Sequence, residues 1–243
     1  MRGFDPLRAF GEAVAAEYDD DPRGDEEATV ACLARLARGG PALELAIGTG
    51  RIGLPLAATG VGVDGIEVSP AMVARLRAKP GGDRLTVTMG DFAEVAVEGT
   101  YRLVFVVFNT LFNLLTQDDQ VRCFVNVAAH LTEDGVFVVE AAVPGDLYRL
   151  PNDQYVAAER IEAGEVRLDV GRHDPVHQLL DESHVRLTPE GVRLGPIVTR
   201  YAWPSELDLM ARIAGLRRHA RWGGWEGEAF TARSWRHVSV YGR

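Results

Sequence analysis

Lysine is almost absent from this 243-residue chain: of its 26 basic residues, Lys79 alone is a lysine. Schiff-base chemistry and the lysine-dependent phosphate loop each need an amine at a particular place. Lys79 sits at the polar end of a helix-like stretch before Pro80, which suits neither. Cysteine is scarce as well. Cys32 and Cys123 lie in separate helix-like segments with no CxxC or other ligand pair, so neither a redox couple nor a metal site is expected. No apolar run approaches the roughly 18 to 20 residues that cross a bilayer. The opening MRGFDPLRAFGEAV carries an acid at Asp5 and lacks the long apolar core of a secretion signal. A cytoplasmic location with no membrane partner is therefore expected. Positive patches are missing too: the formal charge is −9, and the cluster Arg217, Arg218 and Arg221 is too thin to attract a polyanion, so nucleic acid is not an expected partner.

What is present is an ordinary globular composition, 47% hydrophobic and 25% charged, at a length that one large α/β domain fills. Residues 26–38 place apolar side chains at helical spacing and stop at Gly39-Gly40-Pro41. ALELAI (42–47) then reads as a strand entering a glycine turn, RIGLPLAATG (51–60) as a short helix, and VGVDGIEV (61–68) as a second strand. A helix over 70–79 is capped by Ser69 with Pro70 at its first position, and LTVTM (85–89) follows it. YRLVFVVF (101–108) is apolar almost throughout, as a strand covered on both faces should be. A helix over 118–131, the turn TEDG (132–135) and the strand VFVVEAAV (136–143) complete five αβ steps of a doubly wound parallel sheet. After Pro144 the period shortens toward two, with a turn signal at TPEG (188–191), which predicts antiparallel strands. Residues 204–215 return to helix, and two strands close the chain. One domain over 1–243 is expected, with N-terminal helices in 1–40, a core in 41–144, an antiparallel cap in 145–203, and a final helix and hairpin in 204–243.

The segment Leu43-Glu44-Leu45-Ala46-Ile47-Gly48-Thr49-Gly50-Arg51-Ile52-Gly53 carries the most chemistry. Its glycines let the chain turn sharply from strand to helix and let a ligand approach the backbone. Gly48-x-Gly50-x-x-Gly53 also reads as a dinucleotide fingerprint, with Glu67 near the distance at which an acid grips a ribose diol. Glu44 lies inside a strand between two leucines, where a carboxylate is costly unless hydrogen bonds reach it. Either the loop amides and an incoming ammonium satisfy it, or it points to solvent.

Taken together, these residues resemble class I S-adenosylmethionine (SAM)-dependent methyltransferases. Glu44-x-Ala46-x-Gly48-Thr49-Gly50, followed by Arg51, is similar to the family's acidic, glycine-rich first motif, with Ala46 where many members have glycine. Gly65-Ile66-Glu67-Val68-Ser69-Pro70-Ala71-Met72 resembles the second strand, whose terminal acid binds both ribose hydroxyls and whose methionine lies by the adenine. Gly90-Asp91-Phe92 resembles the segment whose aspartate takes the adenine amino group, and Tyr18 resembles an N-terminal tyrosine folded over the methionine end of SAM. The cap resembles that of small-molecule members, including sugar N-methyltransferases. The resemblance implies a Rossmann-like, mostly parallel seven-stranded sheet with a closing antiparallel hairpin and an antiparallel β insertion after the fifth strand. It implies SAM as cofactor, held by Tyr18, Glu44, Ala46, Gly48, Thr49, Gly50, Arg51, Glu67, Val68, Met72, Asp91, Phe92 and Phe108, and a small-molecule substrate.

Asn109, Phe112 and Asn113 follow the central strand, where ligands of open α/β sheets bind, and are the candidate substrate contacts. Some members carry an acid-containing motif here that recognises an amine, and this chain lacks it, so nitrogen and oxygen acceptors both stand. Methyl transfer is an in-line displacement helped chiefly by alignment and exclusion of water, so a base is optional. His173, His177 and His184 in the cap are candidates for one, and no residue is assigned as catalytic. Trp203, Trp222, Trp225 and Tyr201 are ranked first as core, while Arg172 and Arg200 suit a substrate carboxylate. The cap sheet is a candidate homodimer surface. Two other readings remain open: an NAD(P)-dependent oxidoreductase, and a non-catalytic SAM-binding protein.

Overall fold

Tyr101–Val106, six buried residues in a row, form the middle strand of the main sheet in a computed structural model that describes residues 1, 3–5 and 9–243. Residues 2 and 6–8 of the opening segment lie outside that description. In chain order the strands are β1 (Ala42–Leu45), β2 (Val63–Glu67), β3 (Thr86–Met89), β4 (Tyr101–Val106), β5 (Leu131–Ala142), β6 (Gln154–Ile161), β7 (Val166–Asp174), β8 (Leu179–Thr188), β9 (Gly191–Arg200), β10 (Arg217–Trp222) and β11 (Arg236–Gly242). The helices are α1 (Glu12–Glu17), α2 (Glu26–Ala37), α3 (Gly53–Ala58), α4 (Pro70–Arg77), α5 (Gln117–Ala129) and α6 (Pro204–Ile213).

The main sheet runs β10-β11-β5-β4-β1-β2-β3, with β1 to β5 mutually parallel and the β10–β11 hairpin antiparallel against β5. Strand alternation divides β4 between two cores. Val104 and Val106 pack with Phe124 of α5 and Leu207 and Met210 of α6. Leu103 and Phe105 pack with Leu33 of α2, Leu56 of α3 and Leu76 of α4. Helices on both faces are why β4 carries almost no polar residue. Because β1 lies between β2 and β4, the connections leave it in opposite directions, and a crevice opens above its carboxyl end.

The expected cap is a separate antiparallel sheet, β6-β7-β8-β9, reached from β5 through two short 3-10 turns. One local expectation is corrected. TEDG does not separate α5 from the next strand; α5 ends at Ala129 and β5 begins at Leu131. The pairing steps from Tyr101↔Leu131 to Leu103↔Val136, so the turn residues bulge out of a continuous strand.

Where β4 ends, a charged knot fixes the backbone. Glu140 of β5, 2% exposed, accepts the Phe108 amide at 2.9 Å on Oε2. Its Oε1 accepts Arg23 at 2.7 Å and Arg236 at 3.2 Å, and both arginines also pair with Asp25. Phe108 and Asn109 both have φ of +61°, a left-handed pair of non-glycine residues held by these contacts and by the Ala142 amide on Asn109 Oδ1 at 2.6 Å. Glu140→Ala is expected to lower stability by about 2 to 3 kcal/mol in urea denaturation, since it removes the acceptor of the Phe108 amide and leaves Arg23 and Arg236, both partly buried, sharing Asp25 alone.

Candidate functional site

The crevice above β1 is a cavity of about 690 Å³, walled by strand ends on one side and the cap on the other. From the expected set, Tyr18, Ala46, Gly48, Glu67, Val68 and Met72 line it, together with Asp91, Phe92, Phe108, Asn109 and Asn113. Glu67 closes β2 with a carboxylate that three amides hold: Gly48 donates to Oε2 at 2.8 Å, and Val68 and Ser69 donate to Oε1 at 2.9 and 2.8 Å. Burial raises its pKa and these amides pull it down. Its remaining lone pairs can accept two hydroxyls. Ser69 caps α4 by accepting the Met72 amide, and Pro70 starts the helix, as the sequence signals; this seats Met72 beside the cavity.

Glu44, Thr49, Gly50, Arg51 and Phe112 are not among the lining residues. Glu44 is 3% exposed beneath the loop, so it takes neither the solvent route nor a place in the wall. Its Oε2 has no hydrogen-bond partner among the described residues. An added Cβ at Gly53 would stand 2.6 Å from that oxygen, so the third glycine leaves room for the carboxylate. Burial pushes the Glu44 pKa well above its ordinary value; the Gly53 amide lowers it, and the nearby Glu67 charge raises it again. Phe112 is packed in the core with Phe124 and Leu207.

Thr49 and Arg51 hold residues 18–21 instead. Thr49 Oγ1 donates to Asp19 at 2.7 Å, and Lys79 bonds both Asp19 and the Thr49 carbonyl at 2.7 Å. Arg51 donates to the carbonyls of Tyr18 and Asp21 and lies 4.7 Å from the Tyr18 ring centre. The clamp lays Tyr18 over the crevice, where burial raises its phenol's pKa. From the other side, Glu17 pairs with Arg186 and Arg193 of the cap, and Asp21 with Arg160 and Arg167.

Sequence reasoning missed much of the cap wall. Glu182, Ile197 and Thr199 line the cavity, as does His184, one of three histidines considered. Residues 182 and 184 share a face by strand alternation, but nothing local says which face meets the core. His173 is buried against Tyr201, and His177 sits with Asp174 at the β7–β8 connection. Burial lowers the His237 pKa to about 3. Arg200 is buried on Gln120 and Gln178, and Arg172 pairs with Asp181, so neither reaches the cavity. Trp225 and Tyr201 are core residues, as ranked. Four carboxylates (Glu67, Asp91, Asp119 and Glu182) line the cavity, and among the described residues no lysine or arginine does. Nor is there a cluster of three or more His, Cys, Asp or Glu suited to a metal among them. No helix among them is long and apolar enough to cross a membrane.

Comparison with known proteins places this geometry. A family model described as a methyltransferase domain matches residues 42–135. The CcbJ methyltransferase structure from Streptomyces caelestis is 38% identical, covers 98% of this chain and 99% of its own, and superposes with a TM-score of 0.92. The amino pentose methyltransferase CalS10 from Micromonospora echinaspora, solved with SAM, shares the fold at 24% identity, with 94% and 95% coverage and a TM-score of 0.69. In sequence, a cypemycin N-terminal methyltransferase from Streptomyces sp is 27% identical over 201 residues, 79% of this chain and 78% of that protein.

Ionisation of Glu44 sets a pH test. Its folded pKa lies above the ordinary 4.5, so as pH rises from that value the unfolded chain releases a proton the folded chain keeps. Stability therefore falls with rising pH until the folded pKa is passed. Denaturation of the wild type and Glu44→Gln across that range is expected to show the wild type losing ground by up to about tenfold in its unfolding constant per pH unit.

Proposed function

The chain belongs to the SAM-dependent methyltransferases, and we propose that its cavity receives SAM at the β1–β2 end and a small-molecule amine beneath the cap. The observation that carries this reading is the charge of the lining: four carboxylates and, among the described residues, no arginine or lysine, with Asp119 alone of the four paired to an arginine, Arg122 outside the wall, favour a sulfonium and an ammonium. The same lining disfavours the pyrophosphate of a dinucleotide. In this assignment Glu67 takes the ribose hydroxyls, Asp91 the adenine amino group and Met72 the adenine face. Ala46 and Gly48 of the loop and the Tyr18 phenol enclose the methionine end. SAM supplies an electrophilic methyl group; the protein aligns the acceptor with it and excludes water. Oxygen acceptors are the second reading, since Asn109, Thr110 and Asn113 offer hydrogen bonds to a hydroxyl. The names of the relatives, an amino pentose methyltransferase and an N-terminal methyltransferase among them, favour nitrogen.

We further propose one methyltransferase domain over 1–243, a cytoplasmic location that suits two free, buried cysteines, and a homodimer through the outer cap face. That face carries Val156, Val192 and Leu194 at 71, 63 and 68% exposure. Pairing aligns their strands with Leu168, Val170 and Val185 in an apolar field.

S-adenosylhomocysteine (SAH) is expected to raise the melting temperature while NAD does not. Methyl transfer from labelled SAM to an amine pool excludes a purely binding role. Glu67→Ala is expected to weaken SAH by about 1 to 3 kcal/mol in calorimetry with the fold retained, because the ribose loses charge-assisted bonds.

A further inference from the structure

The core side of the acceptor region offers amides and a hydroxyl, from Asn109, Asn113 and Thr110, which do not accept a proton near neutral pH, and one carboxylate, Asp119, which is already paired with Arg122 at 2.6 Å. The cap supplies what is missing. Gly171 of β7 lies between Tyr155 of β6 and Glu182 of β8 in one row across the sheet. A Cβ at Gly171 would fall 2.1 Å from the Tyr155 ring, so the bare glycine lets the phenol cross over it and donate to Glu182. In the next row, Asp169 faces His184, with Oδ1 2.6 Å from Nδ1. A carboxylate at Nδ1 keeps the ring proton there and leaves Nε2 as the base. Among the described residues, His184 is the histidine that lines the cavity, and its side chain keeps 60% exposure, a route for a proton to water.

Resting on the methyltransferase reading, we propose that His184, positioned by Asp169, is the catalytic base that deprotonates an acceptor ammonium, and that Glu182, held by Tyr155 across Gly171, binds that ammonium. The proton passes from the acceptor nitrogen to Nε2, and the N–H bonding pair stays on nitrogen as the lone pair. That pair forms the new N–CH3 bond while the S–CH3 bonding pair leaves with sulfur. The imidazolium then returns its proton to water. Burial raises the Glu182 pKa, against the Tyr155 bond that lowers it. The charged and titratable groups around His184 are Asp169 on β7, Glu182 and Arg186 on β8, Glu159 on β6, Arg167 on β7, Arg193 on β9, and Glu17, Tyr18 and Asp21 from the N-terminal segment. They contribute both signs, so Asp169 is the partner that sets the ring's orientation.

The test uses the full chain, methyl-labelled SAM and three amine probes: D-glucosamine, ethylamine and glycinamide. Wild type is expected to methylate at least one. On that probe His184→Gln should lower kcat about 100-fold at neutral pH with KM within about threefold, and the residual rate should climb with pH as free amine accumulates. Asp169→Asn should lower kcat about tenfold, and nitrogen NMR should show the His184 proton on Nδ1 in wild type and displaced in this variant. Glu182→Gln should raise KM about tenfold. SAH affinity, measured alongside, should stay unchanged in all three. Should His184→Gln lose SAH binding, His184→Asn and Asp169→Asn carry the comparison. The proposal is overturned if wild type binds SAH yet methylates none of the probes. Variants that match wild type in kcat and KM, or a wild-type proton on Nε2, overturn it too. A wild type that fails to bind SAH is the distinct failure of the methyltransferase reading.

Discussion

Three amides converge on the Glu67 carboxylate, and the ligand-facing half of the molecule depends on that convergence. The bond from Gly48 ties the glycine loop to the end of β2, while those from Val68 and Ser69 turn the chain into α4. A buried carboxylate is tolerated there because its charge is spread over backbone dipoles, with no arginine required. That leaves the cavity lined by carboxylates with no lysine or arginine among the described lining residues. Glu44, paired with Gly65 on the neighbouring strand, lacks such amides on one oxygen, and burial shifts it toward its neutral form.

The second wall is built on a different principle. The core places backbone at strand ends, whereas the cap places side chains in rows across an antiparallel sheet, where register decides which groups meet. One face of that sheet carries Tyr155, Asp169, Glu182 and His184, and the other carries Val156, Leu168, Val185 and Leu194. Alternation thereby yields a polar interior and an apolar exterior from the same forty-odd residues.

Elements whose periodicity is local were legible in the sequence. The apolar β4, the Ser69-Pro70 start of α4 and the return to helix after Trp203 each announce themselves within a few residues. The bulged TEDG segment was not legible, because a turn signal is identical whether it ends an element or interrupts a strand. Ala46, Phe108 and Asn109 all take positive φ, yet none is glycine, so nothing in the residue type marks the bends they make. Of the site residues, those set by short motifs, Gly48, Glu67, Met72 and Asp91, fall around one cavity. Thr49 and Arg51 carry the same motif but turn outward to the N-terminal segment, a partner some thirty residues away that no local pattern reveals. Glu182 belongs to a pairing of distant strands and stayed invisible for the same reason.

Residues 17–21 touch both the cap and the glycine loop. Within five positions the chain alternates its allegiance: Glu17 and Asp21 grip cap arginines, while Tyr18 and Asp19 grip the glycine loop. A single strip of backbone thus joins the two walls of one cavity. Swinging it away from the loop drags its flanking acids off the cap, and loosening the cap contacts unseats the tyrosine. The contacts to the loop and those to the cap are thus linked by covalent continuity, with no need for a message carried through the sheet.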